Sequence, residues 1–201
     1  MNSSHFLQFI DTMNALVSRT SNEATVLDEG EAALKLLIAH DDWLPAEYAQ
    51  PVAERYQSYC LYLDPQARYS VISFVWAPGQ GTAVHNHTVW GLVGVLRGAE
   101  RCEEFAAPLT QATQATQAMP AMQPTHQHTL LRGEVDRVSP AIGDWHKVSN
   151  AAVGEGETSV SIHVYGADIG RVHRQYWDAA KQMLQPMISG YGNDTPWIGA
   201  R

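Results

Sequence analysis

The chain has 201 residues, of which 45% are hydrophobic, and a formal net charge of −8 at neutral pH. That is enough apolar material for one core, while the acidic balance argues against nucleic acid or an anionic membrane as partner, since both demand clustered Lys and Arg. Two cysteines are too few for a disulfide scaffold, and no run of roughly 18 apolar residues marks a membrane span.

In the first part of the chain, Phe6, Phe9, Ile10, Met13, Leu16 and Val17 recur at helical spacing, which predicts an amphipathic helix with Ser3 or Ser4 at its cap. The stretch Met1–Arg19 carries Asp11 within its apolar pattern and has neither a basic start nor a small-residue cleavage site. It therefore reads as a helix rather than a signal peptide, and a cytoplasmic location is expected. A second helix is predicted from about Asp28 to His40, with Asp28, Glu29 and Glu31 complementing the positive end of its dipole. Pro45 ends it, and a short third helix is predicted over Ala46–Gln50.

From Tyr56 onward the periodicity changes. The segments Cys60–Leu63, Tyr69–Trp76, Leu92–Arg97, Val135–Val138 and Ser159–Tyr165 are short, rich in β-branched and aromatic residues, and bounded by turn formers, so they are predicted strands. The interval Ala106–Thr129, with its Gln-Ala-Thr repeats, reads as a long mobile hairpin tip between two of them. Helical spacing returns over Val172–Leu184 through Tyr176, Ala179, Ala180, Met183 and Leu184, and an irregular tail follows. Segregated helices and strands predict an α+β, mainly β, fold in a single domain, 1–201: a helical layer over 1–50, a barrel or sandwich over 56–170, and a C-terminal helix and tail over 171–201.

The residues that carry chemistry lie in the strand-rich part. His85-Asn86-His87 places two imidazoles on one side of an extended segment, because successive side chains alternate faces. His146, within Gly143-Asp144-Trp145-His146, can close a metal site from another strand. Neutral imidazoles suit Fe, Zn, Ni and Cu, and no Asp, Glu or Cys stands at ligand spacing nearby. Three neutral ligands leave the full charge of a dication uncompensated, which favours an anionic, soft substrate such as a thiolate. Ser161, His163 and Tyr165 share one face of a predicted strand, opposite Val160, Ile162 and Val164. Turned into a barrel, three polar groups must satisfy one another, so a Ser–His–Tyr relay is predicted. No nucleophile elbow or carboxylate partner for His163 supports a serine hydrolase. His5, His40, His126, His128 and His173 read as structural or solvent-facing, and Cys60 and Cys102 as small buried residues.

Gly79, His85-Asn86-His87, Gly91 and Gly98 stand where the first cupin motif has Gly, His-x-His, Glu and Gly. Gly143, His146 and Asn150 match the second motif, with Pro140 one residue further from Gly143 than usual. On these frames the chain resembles a cupin, a double-stranded β-helix or jelly-roll barrel. From about Pro45 to the C-terminus, most clearly in Pro45–Pro51, Phe74–Gly98 and Ser161–Tyr165, it resembles a bacterial thiol dioxygenase of the cysteine dioxygenase family. The resemblance implies mononuclear non-haem Fe(II) on His85, His87 and His146, and addition of both atoms of O₂ to a thiol sulfur to give a sulfinic acid. It also implies Ser161, His163 and Tyr165 as the relay near the iron. Animal members link a Cys to the relay tyrosine; Gly91 stands at that position, so Tyr165 is expected to be unlinked. Cysteine-specific members carry an Arg for the substrate carboxylate where this chain has Gln57, and members with Gln tend to prefer 3-mercaptopropionate. Arg174 could supply the positive charge instead, and Arg55 is a rival two residues from Gln57.

The expected partners are thus a small thiol and O₂, with no nucleic acid and no membrane, in a monomer or homo-oligomer. Two other readings fit the same residues. One is a cupin enzyme of other chemistry, such as a Zn or Ni isomerase or another dioxygenase, which metal content and indifference to O₂ would reveal. The other is a non-catalytic ligand-sensing cupin, against which stands the lack of a basic recognition helix.

Overall fold

A computed structural model describes residues 2–108, 122–154 and 156–199. Two helices lead, α1 (Ser4–Arg19) and α2 (Glu23–Ile38), followed by a 3-10 turn at Ala46–Ala49. The strands are β1 (Gln57–Leu63), β2 (Ser70–Trp76), β3 (Gly91–Arg97), β4 (Ala99–Phe105), β5 (Pro124–Leu131), β6 (Val135–Val138), β7 (Trp145–Asn150), β8 (Ser159–Tyr165), β9 (Arg174–Asp178) and β10 (Met183–Met187). No described helix is long and apolar enough to cross a membrane.

The predicted stripe of α1 is its buried face: Phe6, Phe9, Ile10, Met13 and Leu16 all enter the core. Neither serine caps it through its side-chain oxygen. Instead Asn2 Oδ1 accepts the Ser4 N–H at 3.3 Å. The second helix begins five residues before the predicted Asp28 (28 − 23), because Asn22 Oδ1 accepts the Thr25 N–H at 3.0 Å and caps a turn that the apolar pattern alone does not mark.

The strands form an antiparallel five-stranded sheet in the order β1-β2-β8-β3-β6, facing a three-stranded sheet β5-β4-β7. The segment after β2 extends the second sheet: Gly81 bridges to Ser149, and His85 bridges to His146 on one side and Tyr176 on the other. This joins the β9-β10 hairpin to the same layer, and the two layers make the double-stranded β-helix. The helices cover the outside of the larger sheet. Leu34 and Ile38 of α2 reach so close to β3 that a Cβ on Gly94 would stand 3.0–3.1 Å from them. Strand β8 is buried along its whole length because both its faces are covered. Val160, Ile162 and Val164 pack in the helix-side core, and Ser161, His163 and Tyr165 point into the barrel.

Two expectations are corrected. The segment Val172–Leu184 is not a helix but the β9-β10 hairpin. Backbone pairing overrides its weak helical period: Trp177 N–H donates to Val84 O at 2.7 Å and Asn86 N–H to Gln175 O at 3.1 Å. The turn is fixed by Asp178, whose Oδ1 accepts the Ala180 and Lys181 N–H groups. The interval Ala106–Thr129 is partly strand, since β5 begins at Pro124 and pairs along β4; residues 109–121 of it lie outside the described residues.

The β1-β2 turn carries a buried charge. Asp64 is 2% exposed and accepts the N–H groups of Gln66 and Arg68 and both arms of the Arg68 guanidinium, at 2.7–3.1 Å. The Arg68 hydrogen bond, opposed by burial, holds the Asp64 carboxyl below its ordinary value. Asp64→Asn is expected to lower stability at neutral pH by about 2 kcal/mol in a urea titration. A depressed carboxyl contributes fully above its unfolded pKa of about 4 and loses that contribution as pH falls through the folded value. The gap between variant and wild type should therefore narrow below about pH 4.

Candidate metal centre

His85 and His146 are joined by two main-chain hydrogen bonds, His85 N–H to His146 O at 2.9 Å and His146 N–H to His85 O at 3.0 Å. A directly opposed antiparallel pair sends both side chains to the same face, and His87 joins them from two residues along. The three rings stand with centroids 4.6–4.9 Å apart and are buried. One ring nitrogen from each lies within 4.8 Å of the others.

The outer nitrogens are held by the chain itself. His85 Nδ1–H donates to Ala83 O at 3.0 Å. His87 Nδ1–H faces Asp144, at 3.2 Å from Oδ1. His146 Nδ1 lies 3.8 Å from the Cys102 sulfur. The oxygen acceptors at the Nδ1 atoms of His85 and His87 leave their Nε2 atoms as free lone pairs, and His87 Nε2 is buried with no hydrogen-bond partner. Burial, the largest influence on each, pushes all three toward neutrality: His85 falls to about 4, and His87 and His146 fall well below their ordinary value, the last two helped by neighbouring imidazoles. Neutral, convergent imidazole nitrogens, one of them orphaned, are the donor set a transition metal requires.

The residue in the cupin glutamate position cannot be a ligand. A Cβ on Gly91 would come within 2.7–2.9 Å of the Tyr165 ring and Val138. The packing of Tyr165 therefore demands glycine there, which also removes the cysteine that would link to it. Cys60 and Cys102 are free and buried, as expected.

Ser161, His163 and Tyr165, the residues of the expected relay, are hydrogen-bonded in a row on β8. Ser161 Oγ is 2.8 Å from His163 Nε2, and His163 Nδ1 is 2.8 Å from the Tyr165 hydroxyl. The Tyr165 ring stacks on His87 with centroids 5.2 Å apart, so the relay ends against the metal triad. His85, His146, His163 and Tyr165 line one cavity of about 330 Å³. Gln57, at the start of β1, and Arg174, on β9, line the same cavity and are both buried. Arg174 Nη2–H donates to Ser189 Oγ at 2.8 Å, while its Nε is buried without a partner. Arg55 also borders the cavity but is exposed.

A family model described as cysteine dioxygenase type I matches residues 6–176. The chain belongs to the cysteine dioxygenase type I family. It is a thiol dioxygenase-type cupin, and the metal dependence of the family agrees with the histidine triad. Among solved structures, it is similar to a protein with a double-stranded β-helix domain from Klebsiella pneumoniae (16% identity, 64% of this chain and 91% of that one, TM-score 0.45). It is also similar to a cupin 2 conserved barrel domain protein from Rhodopseudomonas palustris (17%, 66% and 76%, TM-score 0.42) and a cupin-like protein from Thermotoga maritima (19%, 62% and 80%, TM-score 0.42).

Within this cysteine dioxygenase family member, several residues near the site escape a reading of the sequence. Asp144 is the clearest. Besides facing His87 Nδ1, its carboxylate accepts the N–H groups of His87 and Thr88 at 2.9 and 3.0 Å. It thereby clamps a turn in which Thr88 takes a positive φ of 62°. Its place two residues before His146 is the only signal the sequence offers. Asp144→Ala is expected to weaken metal binding by about 10–100-fold in a chelator competition, with the three ligands still present. The other histidines are structural or exposed. His5 stacks on His40, joining α1 to the end of α2. His128 Nε2 is 3.1 Å from Asp136, between β5 and β6, and His126 and His173 face solvent. Two further groups, Cys102 with His128 and Asp136, and Glu104 with His126 and His128, have ligand spacing but are less buried than the triad.

Proposed function

We propose that the protein is a non-haem Fe(II) dioxygenase that converts a small thiol carboxylate and O₂ to the sulfinic acid, with 3-mercaptopropionate preferred over cysteine. The observation that carries this reading is a triad of neutral imidazoles, two of which line a cavity that also holds a buried guanidinium; among the described residues the triad has no anionic ligand and the guanidinium no carboxylate partner. His85, His87 and His146 would hold a ferrous ion, which would supply a Lewis-acidic centre for the thiol and O₂ chemistry.

The chain's own residues do the rest. Arg174 and Gln57 grip the carboxylate, Arg174 through charge and Gln57 as a neutral donor. Tyr165, oriented by His163 and Ser161, presents its hydroxyl beside the reacting sulfur. The walls, including buried Ile72 and Trp76 and half-buried Phe74, limit water. The thiol preference follows from charge. No Asp or Glu is among the described residues lining the cavity, so the ammonium of cysteine finds no counter-ion there, and the loss of its hydration is not repaid. The carboxylate of 3-mercaptopropionate carries no such cost.

The test is O₂ uptake and sulfinate formation by Fe(II)-loaded protein, with 3-mercaptopropionate, cysteine and cysteamine compared by kcat/KM. Uptake with 3-mercaptopropionate as the best of the three is expected. Activity with Zn in place of Fe, or no thiol-dependent uptake, would refute the reading.

A further inference from the structure

The relay has an end that no expectation named. Glu100 lies on β4, fully buried, beneath Ser161. Ser159 Oγ–H donates to its Oε1 at 2.9 Å, whereas Oε2 has no hydrogen-bond partner. The Trp76 indole N–H donates to Ser161 Oγ at 3.4 Å and, with Ser161, also faces the carboxylate. Tyr165, His163 and Ser161 are thus hydrogen-bonded in a row from the cavity inward, and the buried Glu100 carboxylate stands next to Ser161 at its inner end, with Oε2 free to accept.

Resting on the dioxygenase reading, we propose that Glu100 is the proton terminus of this relay and receives, through Ser161, His163 and Tyr165, the proton that the substrate thiol loses. The bookkeeping of donors requires two states of the row. With Glu100 ionised, Ser161 O–H points to the carboxylate, His163 Nε2–H to Ser161 Oγ, and Tyr165 O–H to His163 Nδ1. Tyr165 then offers only lone pairs to the cavity and can accept from an S–H. With Glu100 protonated, every hydrogen in the row reverses, and Tyr165 O–H donates into the cavity.

One transfer links the states. The S–H bond breaks and leaves its electron pair on sulfur. Each group in the row passes one proton to the next, and an O–H bond forms on Glu100. The sum is RSH + Glu-COO⁻ → RS⁻ + Glu-COOH, with no oxidant or reductant needed. The same event turns Tyr165 from acceptor to donor just as the sulfur becomes anionic. When the product leaves as sulfinate, the proton returns to solvent.

Burial raises the Glu100 carboxyl to about 7, against the opposing pull of Ser161, Ser159 and Trp76. A thiol in water titrates at about 8.5, so donor and acceptor lie close enough for a proton to move either way. The titratable groups around Glu100 are His163, reached through Ser161, together with Cys102 on its own strand and Tyr165 on β8. Burial drives His163 down to about 3 and Tyr165 upward, and Cys102 is likewise raised, so Glu100 is the member of the row that titrates near neutrality. Glu100 does not touch the substrate; it acts as a positioning residue.

The test uses Glu100→Gln, Ser161→Ala and wild type. In wild type kcat/KM with 3-mercaptopropionate should rise as pH passes through about 7. Glu100→Gln should lower kcat/KM by about 100-fold, mainly through kcat, and lose that limb. Ser161→Ala, which cuts the row without touching the carboxylate, should lose the same limb, and it decides the matter if Glu100→Gln does not fold. Infrared titration gives a readout without turnover. A protonated carboxyl band with a midpoint near neutrality should be present in wild type, missing in Glu100→Gln, and shifted to higher pH in Ser161→Ala. A limb that persists in both variants, or a band that ignores Ser161→Ala, overturns the proposal. Absence of thiol-dependent O₂ uptake in wild type sinks the dioxygenase reading and this role with it. Uptake with an unchanged limb in the variants sinks the role of Glu100 alone.

Discussion

His146→Ala should leave a folded protein that no longer retains metal after dialysis and shows no thiol-dependent O₂ uptake. The fold survives because the two bonds between His85 and His146 are made by the main chain. Alanine keeps them, and the deleted ring lies against its partner rings and the Cys102 sulfur rather than in a main-chain bond. The metal does not survive because no fourth protein donor stands with the triad among the described residues to take over. Gly91 has no side chain, and a carboxylate there would collide with Tyr165. Outer residues that merely orient a ligand cost about 10–100-fold in affinity, so removal of one of three ligands should cost more. Metal analysis and a melting curve on the same sample separate the two effects. Retained stoichiometric metal with turnover would refute the triad.

The triad and relay were legible because both are local patterns with a strand period. His85 and His87, and likewise Ser161, His163 and Tyr165, sit two residues apart, and an extended chain sends such residues one way. His146 was legible through its glycine frame. What the sequence concealed depends on pairing between distant segments. Asp144 reaches back to the His87–Thr88 turn from 56 or 57 residues further along the chain, and Glu100 approaches Ser161 from β4, a strand of the other sheet. Neither contact leaves a period. The β9-β10 hairpin shows the opposite failure. Tyr176, Ala180 and Leu184 do recur every four residues, but the open edge at Val84–Asn86 offers hydrogen bonds that an isolated helical turn cannot match. Strand β4 was hidden by its charges, since Arg101 and Glu103 face out while Cys102 and Glu100 face in.

Arg174→Gln should lower kcat/KM for 3-mercaptopropionate by roughly 10- to 100-fold, chiefly through KM, while a neutral thiol such as 2-mercaptoethanol is handled much as before. The argument begins from an energetic oddity. Arg174 is 6% exposed, and among the described residues it donates to Ser189 but pairs with no carboxylate. Burial accordingly pulls its pKa below the ordinary arginine value. A guanidinium so placed is destabilising in the free protein and becomes favourable only when an anion arrives. A charged hydrogen bond of this kind contributes about 1.5–3 kcal/mol, which is the range expected in kcat/KM. Arg174→Lys should fall between the two, because an ammonium restores charge without the planar fork. The neutral thiol is the decisive control. It needs the triad and the relay but has no carboxylate, so a loss confined to 3-mercaptopropionate assigns Arg174 to substrate recognition. An equal loss with both thiols would mean that Arg174 holds β9 against the Ser189 segment and that the carboxylate is bound elsewhere, with Arg55 at the cavity's rim the next residue to replace.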